Sequence, residues 1–154
     1  MPKLLTWRKE WSLGIGVLDA DHRALVEALT DISLRYCPQA VAHVPFPGRL
    51  PGPGFGLAEA LAGFGERMRA HCRREEAFMR AIDYDRWSEH AELHVILMAK
   101  FDAMVRDCRV RGTQVFDEIG QAWVHDWLVG HIVGSDREFA RAYFNLVGLE
   151  SSGC

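Results

Sequence analysis

Histidine and carboxylate side chains recur in this sequence at spacings that suit metal binding. His90 and His94 stand four residues apart in HAELH, and His71 and Glu75 stand four apart in HCRRE. Residues at this spacing differ by about 40° in direction and about 6 Å in height on an α-helix, so each pair can bind one ion. Taken alone, HAELH is also consistent with two imidazoles that share a face, and HCRREE with a solvated charged face.

Three more residues of these types interrupt apolar helical stripes elsewhere in the chain. His22 begins the first stripe, and His131 and Asp136 lie in the last. A lone histidine on such a stripe is usually a satisfied core residue, but a buried carboxylate or imidazolium without a partner is costly. Seven such side chains on the inward faces of four helices therefore predict a metal site. His43, in a Pro/Gly-rich linker, and His125, about 120° from the face of His131, are not expected to be ligands.

The number and types of these ligands narrow the kind of metal site. A structural zinc takes four ligands, whereas seven suit two six-coordinate ions that share carboxylate bridges and one small exogenous ligand. Ferritin-like di-iron bundles use four glutamates and two histidines, but this sequence offers two carboxylates and five imidazoles. With two carboxylates in place of four, a di-iron centre here would carry more positive charge than a ferritin-like one, and this charge stabilises ferrous iron. The ligand set therefore predicts reversible binding of a small molecule and not oxidation of a substrate.

Four segments with helical periodicity are predicted to position these side chains. Steps of three and four between apolar residues predict helices over about 19–36, 57–82, 88–110 and 113–143. Asp19 or Asp21 is a candidate cap of the first helix. Short connections at 83–87 and 111–112 predict antiparallel neighbours. The pattern predicts an all-α fold, an up-down antiparallel four-helix bundle.

The remaining segments are an N-terminal arm and one long linker, within a predicted single domain of residues 1–154. Residues 1–18 are predicted to form an extended arm. Residues 37–56 contain five of the six prolines and four glycines, so neither helix nor strand is expected there. Three roles for this linker stay open: a cover over a tunnel mouth, a partner surface, or a tolerated insertion.

The spacing of His131 and Asp136 does not fit a regular helix. Residues five apart point about 140° away from each other on an α-helix. Both must nevertheless reach the same metal pair, so we predict a widened turn within residues 130–137. A π-type turn would bring the two side chains to one face, and such turns often occur at functional sites. A shifted helix or an outward-leaning rotamer is the alternative.

Composition and charge exclude several classes of function. The formal net charge of −3 at pH 7 provides no broad basic field for nucleic acid. No apolar run approaches the roughly 20 residues that cross a bilayer, and charge enters the N-terminal segment too early for a signal peptide. The four cysteines lack paired C-x-x-C spacing, which predicts free thiols. We therefore expect a cytoplasmic monomer that neither inserts into a membrane nor binds nucleic acid.

The ordered motifs resemble those of the hemerythrin family, and among them the single-domain bacterial hemerythrins. The family pattern is a first-helix histidine followed by H-x-x-x-E, H-x-x-x-H and H-x-x-x-x-D. This chain has His22, then HCRRE at 71–75, HAELH at 90–94 and HIVGSD at 131–136. LGIGVLDADH and DWLVGHI also look like the family's arm and fourth-helix segments. The resemblance spans about residues 7–145.

This resemblance implies a bundle around two iron ions, Fe2+ or Fe3+, that bind O2. One iron would take His90, His94 and His131. The other would take His22 and His71 and keep an open position. Glu75, Asp136 and a solvent-derived oxo or hydroxo group would bridge the two ions. The matching positions of the apolar O2 pocket are Trp127, Leu128, Ile132 and Cys72.

Two departures from the family pattern accompany these matches. Cys72 stands where the family usually has phenylalanine, which either widens the pocket, permits redox chemistry or only changes the packing. The Pro/Gly-rich linker is longer than typical.

The leading hypothesis is O2 storage, delivery or sensing by a binding protein and not an enzyme. The alternatives are a di-iron oxidoreductase, either a peroxidase or a nitric-oxide-consuming enzyme, and a regulator whose partner contact depends on iron or O2.

Overall fold

The helices form one bundle in which four long segments run alongside each other. The computed structural model describes residues 6–42 and 56–148, and these ranges contain no β-strand. The helices are α1 (Gly16–Tyr36), α2 (Pro38–Ala42), α3 (Leu57–Ala81), α4 (Trp87–Arg111), α5 (Glu118–His131) and α6 (Arg137–Leu146). A π-helical turn, Ile132–Asp136, joins α5 to α6 without a break. Helix α3 packs mainly on α4 and on α1. The predicted all-α four-helix bundle is therefore confirmed.

The first helix begins at Gly16, three residues before the predicted start. Neither candidate aspartate caps it, because Ile15 occupies the N-cap position and makes no side-chain hydrogen bond there. Asp19 instead lies inside the first turn, where its Oδ1 accepts a hydrogen bond of 2.8 Å from the backbone N–H of Leu13. The aspartate thus ties the N-terminal arm to the helix, and the capping prediction was wrong.

The N-terminal arm is not extended throughout. Lys9–Trp11 forms a 3-10 turn, and α1 already includes residues that were assigned to the arm. Trp11, Leu13 and Ile15 are buried in the hydrophobic core. Alternate apolar side chains of this segment therefore cover one face of the bundle. Residues 1–5 lie outside the described ranges.

The start of the predicted linker contains a short helix, α2, which contradicts the expectation of no helix there. Pro38 is its first residue, where a missing N–H costs no hydrogen bond and the fixed φ suits a helix. Pro38 therefore marks this helix start and does not prevent it. The remainder of the predicted linker, residues 43–55 with His43, lies outside the described ranges.

The last long segment becomes helical at Glu118, five residues later than predicted. The side chain of Asp117 caps α5 by accepting a hydrogen bond of 2.8 Å from the backbone N–H of Gly120. Before it, the backbone N–H of Phe116 donates to the carbonyl oxygen of Tyr36 at 2.7 Å. Phe116 is buried, as the apolar pattern of the fourth predicted helix requires, but it lies in the connection between α4 and α5 and not in a helix.

Two aromatic clusters lie at different levels of the core and leave a polar layer between them. Phe64, Phe101 and Trp127 form one cluster, with ring centroids 4.9 to 6.2 Å apart. Phe78, Tyr84 and Phe139 form the other, in which Phe139 lies 5.0 and 5.8 Å from its two neighbours. Along α3, the inward residues between Phe64 and Phe78 include the polar His71 and Glu75 as well as the apolar Met68. Within the described ranges, no helix combines the length and apolar character needed to cross a membrane.

Candidate metal centre

The structure brings all seven side chains named from the sequence into the polar layer. Helix α1 supplies His22, α3 supplies His71 and Glu75, α4 supplies His90 and His94, the end of α5 supplies His131, and the π turn supplies Asp136. Every one is buried, and His22, His71, Glu75 and Asp136 are fully so. The contacts within the layer are made by the Nε2 atom of each imidazole.

The donor atoms form two sets that share their carboxylates. The three-histidine set contains His90, His94 and His131, and the two-histidine set contains His22 and His71. Each set also includes Glu75 and Asp136, and within each set one ligand atom per residue lies within 4.8 Å of all the others. The first set offers five ligand residues and the second offers four, so both could hold a metal ion.

Glu75 directs one oxygen to each set. Its Oε1 lies 2.6 Å from His90 Nε2 and 3.1 Å from His94 Nε2. Its Oε2 lies 3.1 Å from His71 Nε2. The carboxylate therefore has the orientation of a bridge between two ions.

The two carboxylate oxygens of Asp136 likewise face different sets. Its Oδ1 lies 3.0 Å from both His90 Nε2 and His131 Nε2, and its Oδ2 lies 3.1 Å from His22 Nε2. With Glu75, it places two carboxylates between the two sets, each with its oxygens facing different sets.

The spacing of these atoms, and the buried oxygens among them, fit a bound metal ion. Two ligands that bind one ion at about 2.1 Å and at a right angle lie about 3.0 Å apart. The nitrogen atoms of the pair His22–His71 lie 3.2 Å apart, as do those of His94 and His131. Both oxygens of Asp136 and Oε2 of Glu75 are buried without a hydrogen-bond partner. Buried lone pairs without donors are costly, and a cation between the sets would satisfy them.

The π turn explains how His131 and Asp136 join the same layer. Residues Ile132–Asp136 are wound more widely than an α-helix, so residues five apart come to one side. The predicted widened turn is therefore confirmed. Gly134, within the turn, has nothing within 4 Å of an added Cβ atom, so this glycine is not required by a close approach. The regular α6 that follows buries Phe139 and Ala140.

Electrostatics in the metal-free layer couple the imidazoles to the carboxylates. Burial disfavours the charged form of His131, but the neighbouring carboxylates outweigh this and raise its pKa to about 10. The same balance raises the pKa of His71 and of His90 to about 9. Burial likewise opposes ionisation of Asp136, but its imidazole neighbours hold its pKa at about 2. Without metal, these groups therefore form a compact set of ion pairs.

Two further carboxylates contact the outer nitrogens of ligand histidines, and the sequence reasoning missed both roles. Asp21 Oδ2 lies 2.9 Å from His71 Nδ1, and Glu76 Oε2 lies 2.7 Å from His94 Nδ1. By sequence, Asp21 is a candidate cap of α1 and Glu76 belongs to a charged face, and neither expectation includes a contact with an imidazole. Their only sequence signal is that each directly neighbours a predicted ligand, Asp21 before His22 and Glu76 after Glu75.

The residues named for an O2 pocket are all buried. Leu128 and Ile132 are fully buried on either side of His131 in the chain, and Cys72 follows His71 on α3. The indole N–H of Trp127 donates to the carbonyl oxygen of Leu97 at 2.9 Å, which ties α5 to α4. His125 faces outward, where its Nδ1 lies 3.1 Å from Asp126 Oδ1, and it takes no part in the layer.

An open groove of about 620 Å³ runs between α3 and α4 outside the layer. Cys72, His94 and Met98 are its buried lining residues, and Arg69, Glu76 and Glu92 lie among its more exposed ones. The groove therefore connects solvent to one ligand histidine and to the Cys72 side chain. Cys72 is a free thiol, as are Cys37 and Cys108, whereas Cys154 lies outside the described ranges.

Comparison with known proteins identifies the group to which this arrangement belongs. The family described as "Hemerythrin HHE cation binding domain" matches residues 13–143. The chain is also 24% identical over 153 residues to a bacteriohemerythrin of Stenotrophomonas maltophilia (strain R551-3), and the match covers 96% of this chain and 88% of that protein. No solved structure matches significantly. The family match covers all the histidines and carboxylates of the two sets, and this chain belongs to the hemerythrin family.

Proposed function

We propose that this chain binds O2 reversibly at a pair of non-haem iron ions, for oxygen storage, delivery or sensing. The observation that carries the proposal is the unequal size of the two ligand sets around shared carboxylates. His90, His94 and His131 would hold one ion, and His22 and His71 would hold the other. Glu75 and Asp136 would bridge them. With four protein ligands instead of five, the two-histidine set leaves more room for an exogenous ligand at a six-coordinate ion.

The ligand types support reversible binding over substrate oxidation. Two ferrous ions held by these residues would supply the two electrons for reversible binding of O2. Five neutral imidazoles and two carboxylates leave such a centre more positive than one with four carboxylates, which stabilises the ferrous state. The remaining carboxylates near the layer, Asp21 and Glu76, lie behind imidazole rings and are not directed at the shared space.

The buried apolar side chains beside the layer would keep the bound molecule from water. Leu128 and Ile132 have no exposed surface, and Trp127 is held in place by its hydrogen bond to the Leu97 carbonyl oxygen. Exclusion of water and protons favours release of neutral O2 over irreversible loss of a reduced product. These residues would act by shape and polarity alone, since none of them offers a proton at the layer.

The second candidate function is a di-iron oxidoreductase, either a peroxidase or a nitric-oxide-consuming enzyme. One observation favours it: the open groove between α3 and α4 reaches His94 and Cys72. A small substrate or an electron donor could approach a ligand histidine there. The groove is mixed in charge, with Arg69 and Arg73 on α3 and Glu92 and Asp102 on α4. Its presence does not require turnover, so O2 binding remains the leading proposal.

One experiment separates the two functions. The iron-loaded, fully reduced protein is prepared without oxygen, exposed to O2, and then flushed with argon. A binding protein should develop an absorption band that disappears on flushing and returns on renewed exposure. One-way conversion to the ferric form, with consumption of added peroxide or nitric oxide, would overturn the proposal in favour of the enzyme.

Matched histidine variants test which side chains are needed. His71→Ala should lose the reversible absorption change, because the two-histidine set would then keep one imidazole. His125→Ala should behave as the unsubstituted protein, since His125 is half-exposed and lies outside both ligand sets, with Asp126 and Trp11 among its neighbours. Equal loss in both variants would argue against a centre at the proposed position.

We further propose that the protein acts as a monomer in the cytoplasm, with O2 as its ligand.

A further inference from the structure

Two of the five buried imidazoles are contacted by a carboxylate on the nitrogen that faces away from the layer. His71 Nδ1 lies 2.9 Å from Asp21 Oδ2, and His94 Nδ1 lies 2.7 Å from Glu76 Oε2. Both rings are buried, whereas the carboxylate side chains are 19% and 21% exposed. Each pair therefore runs from the partly exposed surface of the bundle to the buried layer.

This arrangement determines which ring nitrogen is free to bind metal. A neutral imidazole carries one N–H, and a carboxylate acceptor holds that proton on the nitrogen it contacts. Because the N–H of His71 and His94 is held at Nδ1, their Nε2 lone pairs are directed into the layer. A carboxylate on the outer nitrogen also makes the ring a stronger donor to a metal.

The two contacts are distributed one to each ligand set. His71 belongs to the two-histidine set and His94 to the three-histidine set. By contrast, Nδ1 of the fully buried His22 has no hydrogen-bond partner. Each set thus contains one imidazole whose outer nitrogen is held by a carboxylate as the N–H donor.

We propose that Asp21 and Glu76 are positioning residues, each of which orients one ligand histidine and strengthens its bond to one of the two metal ions. The inference rests on the proposed metal centre but not on its binding of O2. Neither carboxylate lies among the atoms of the two ligand sets, so neither is itself a ligand.

The two positioning residues differ in how their charge is compensated. Arg74 donates two hydrogen bonds to Asp21, from Nε at 2.9 Å and from a terminal nitrogen at 3.0 Å. Among the described residues, no lysine or arginine forms an ion pair with Glu76. Asp21 should therefore act chiefly by orientation, because its charge is offset, whereas Glu76 should also place negative charge behind His94.

Zinc binding tests the inference without any oxygen or redox chemistry. Metal-free protein is titrated with Zn2+ in competition with a coloured chelator. The unsubstituted protein should bind two ions. Asp21→Ala and Glu76→Ala should each weaken the binding of one ion by roughly 10- to 100-fold.

Each variant has a matched control on the same helix. Asp31→Ala removes an exposed aspartate of α1 that pairs with Arg35. Glu66→Ala removes an exposed glutamate of α3 that pairs with Arg69. Both controls should bind zinc as the unsubstituted protein does.

Amide variants separate positioning from general structure. Asp21→Asn and Glu76→Gln keep an oxygen that can accept the Nδ1–H, so they should bind zinc more tightly than the alanine variants. The recovery should be smaller for Glu76→Gln, because this change removes a negative charge that no lysine or arginine among the described residues compensates. In the zinc-loaded protein, nitrogen NMR should find the proton of His71 and of His94 on Nδ1, and the alanine variants should lose that protected N–H signal.

The possible failures are distinguishable. Two ions bound by the unsubstituted protein, with unchanged affinity in both alanine variants, would overturn the positioning role and leave the metal centre standing. Failure of the unsubstituted protein to bind zinc would overturn the centre itself and this inference with it. Should the alanine variants fail to fold, full zinc affinity in the amide variants with the proton absent from Nδ1 would also overturn the role.

Discussion

His131 and Asp136 are five residues apart in sequence, yet His131 Nε2 lies 3.0 Å from Asp136 Oδ1. The π turn between them makes this possible, because a regular α-helix would point the two side chains in nearly opposite directions. Asp136 thereby reaches both ligand sets, with Oδ2 directed to His22. The irregular turn is thus the feature that allows a single helical segment to contribute both an imidazole and a shared carboxylate.

Removing the Asp136 carboxylate should disrupt both metal positions at once. Asp136→Ala deletes one bridge and leaves one fewer ligand in each set, so we expect the iron content to fall below one ion per chain. The loss of affinity should exceed the roughly 10- to 100-fold typical of an outer contact. Iron analysis after gel filtration measures this. Asp126→Ala, an exposed aspartate on α5, is the control and should retain two ions. Full iron content in Asp136→Ala would remove this residue from the ligand set.

Removing metal should lower the thermal stability of the protein. Metal that is bound only by the folded chain stabilises it, because the free energy of binding is linked to folding, and metal would satisfy the buried oxygens of Glu75 and Asp136. At a metal concentration about 100 times the dissociation constant, each bound ion stabilises the folded chain by about 2.7 kcal/mol, or roughly 5–10 °C per ion for a chain of this size. Calorimetry of metal-free and metal-loaded protein measures the difference. Coincident melting temperatures would contradict the prediction.

Stability of the metal-free protein should fall as the pH rises from about 6.5 to 10. The carboxylates raise the pKa of His71 and His90 to about 9 and of His131 to about 10 in the folded state. Between the unfolded and folded values, the folded chain binds more protons, so each such group lowers stability by up to about 1.4 kcal/mol per pH unit. Urea unfolding at several pH values tests this.

The metal-loaded protein provides the control for this pH dependence. Its histidines are neutral ligands, so they bind no proton over the same range, and the fall in stability should be absent or much smaller. A parallel decline in both forms would assign the pH effect to groups outside the layer.

Polar substitutions beside the layer should shorten the life of the reduced protein in air. Ile132→Ser and Leu128→Ser replace fully buried apolar groups with hydroxyls that admit water. We expect faster autoxidation with near-normal iron content and a stability cost of roughly 2–5 kcal/mol. Ile119→Ser, at an exposed position of α5, is the matched control. Unchanged autoxidation in both buried variants would remove these residues from the proposed pocket.

Two nearby glycines of α3 should differ in how their replacement by alanine changes stability. Gly63 has nothing within 4 Å of an added Cβ atom, so Gly63→Ala should stabilise the protein by about 0.5–1 kcal/mol. At Gly65 the added atom would lie 3.1 Å from the ring of Phe101, which is fully buried and has little room to move. Gly65→Ala should therefore gain less or lose stability. Chemical denaturation compares the two, and equal gains would show that the Phe101 ring adjusts freely.

The helical bundle could be predicted from the sequence because burial imposes a period on the chain. Inward positions such as Leu61, Phe64 and Met68 recur every three or four residues, and the same period places His71 and Glu75 on the inward face of α3. A polar side chain at an inward position must find a partner, so residue type and spacing together indicated metal ligands. Even the widened turn followed from the mismatch between a spacing of five and the period of an α-helix.

Tertiary structure alone decided the features that depend on neighbours from distant parts of the chain. Asp19 accepts a hydrogen bond from the backbone of the arm and does not cap α1. Helix α5 begins at Glu118, just beyond Phe116, whose N–H donates to the Tyr36 carbonyl oxygen. Asp21 and Glu76 are 50 and 18 residues from the histidines that they contact. Helical periodicity tells which way a side chain faces on its own helix, but not which atom of another helix lies opposite. Which atoms lie opposite each other is decided only when the helices pack. This packing determines which carboxylates lie between the two ligand sets and which contact the outer nitrogens of the imidazoles.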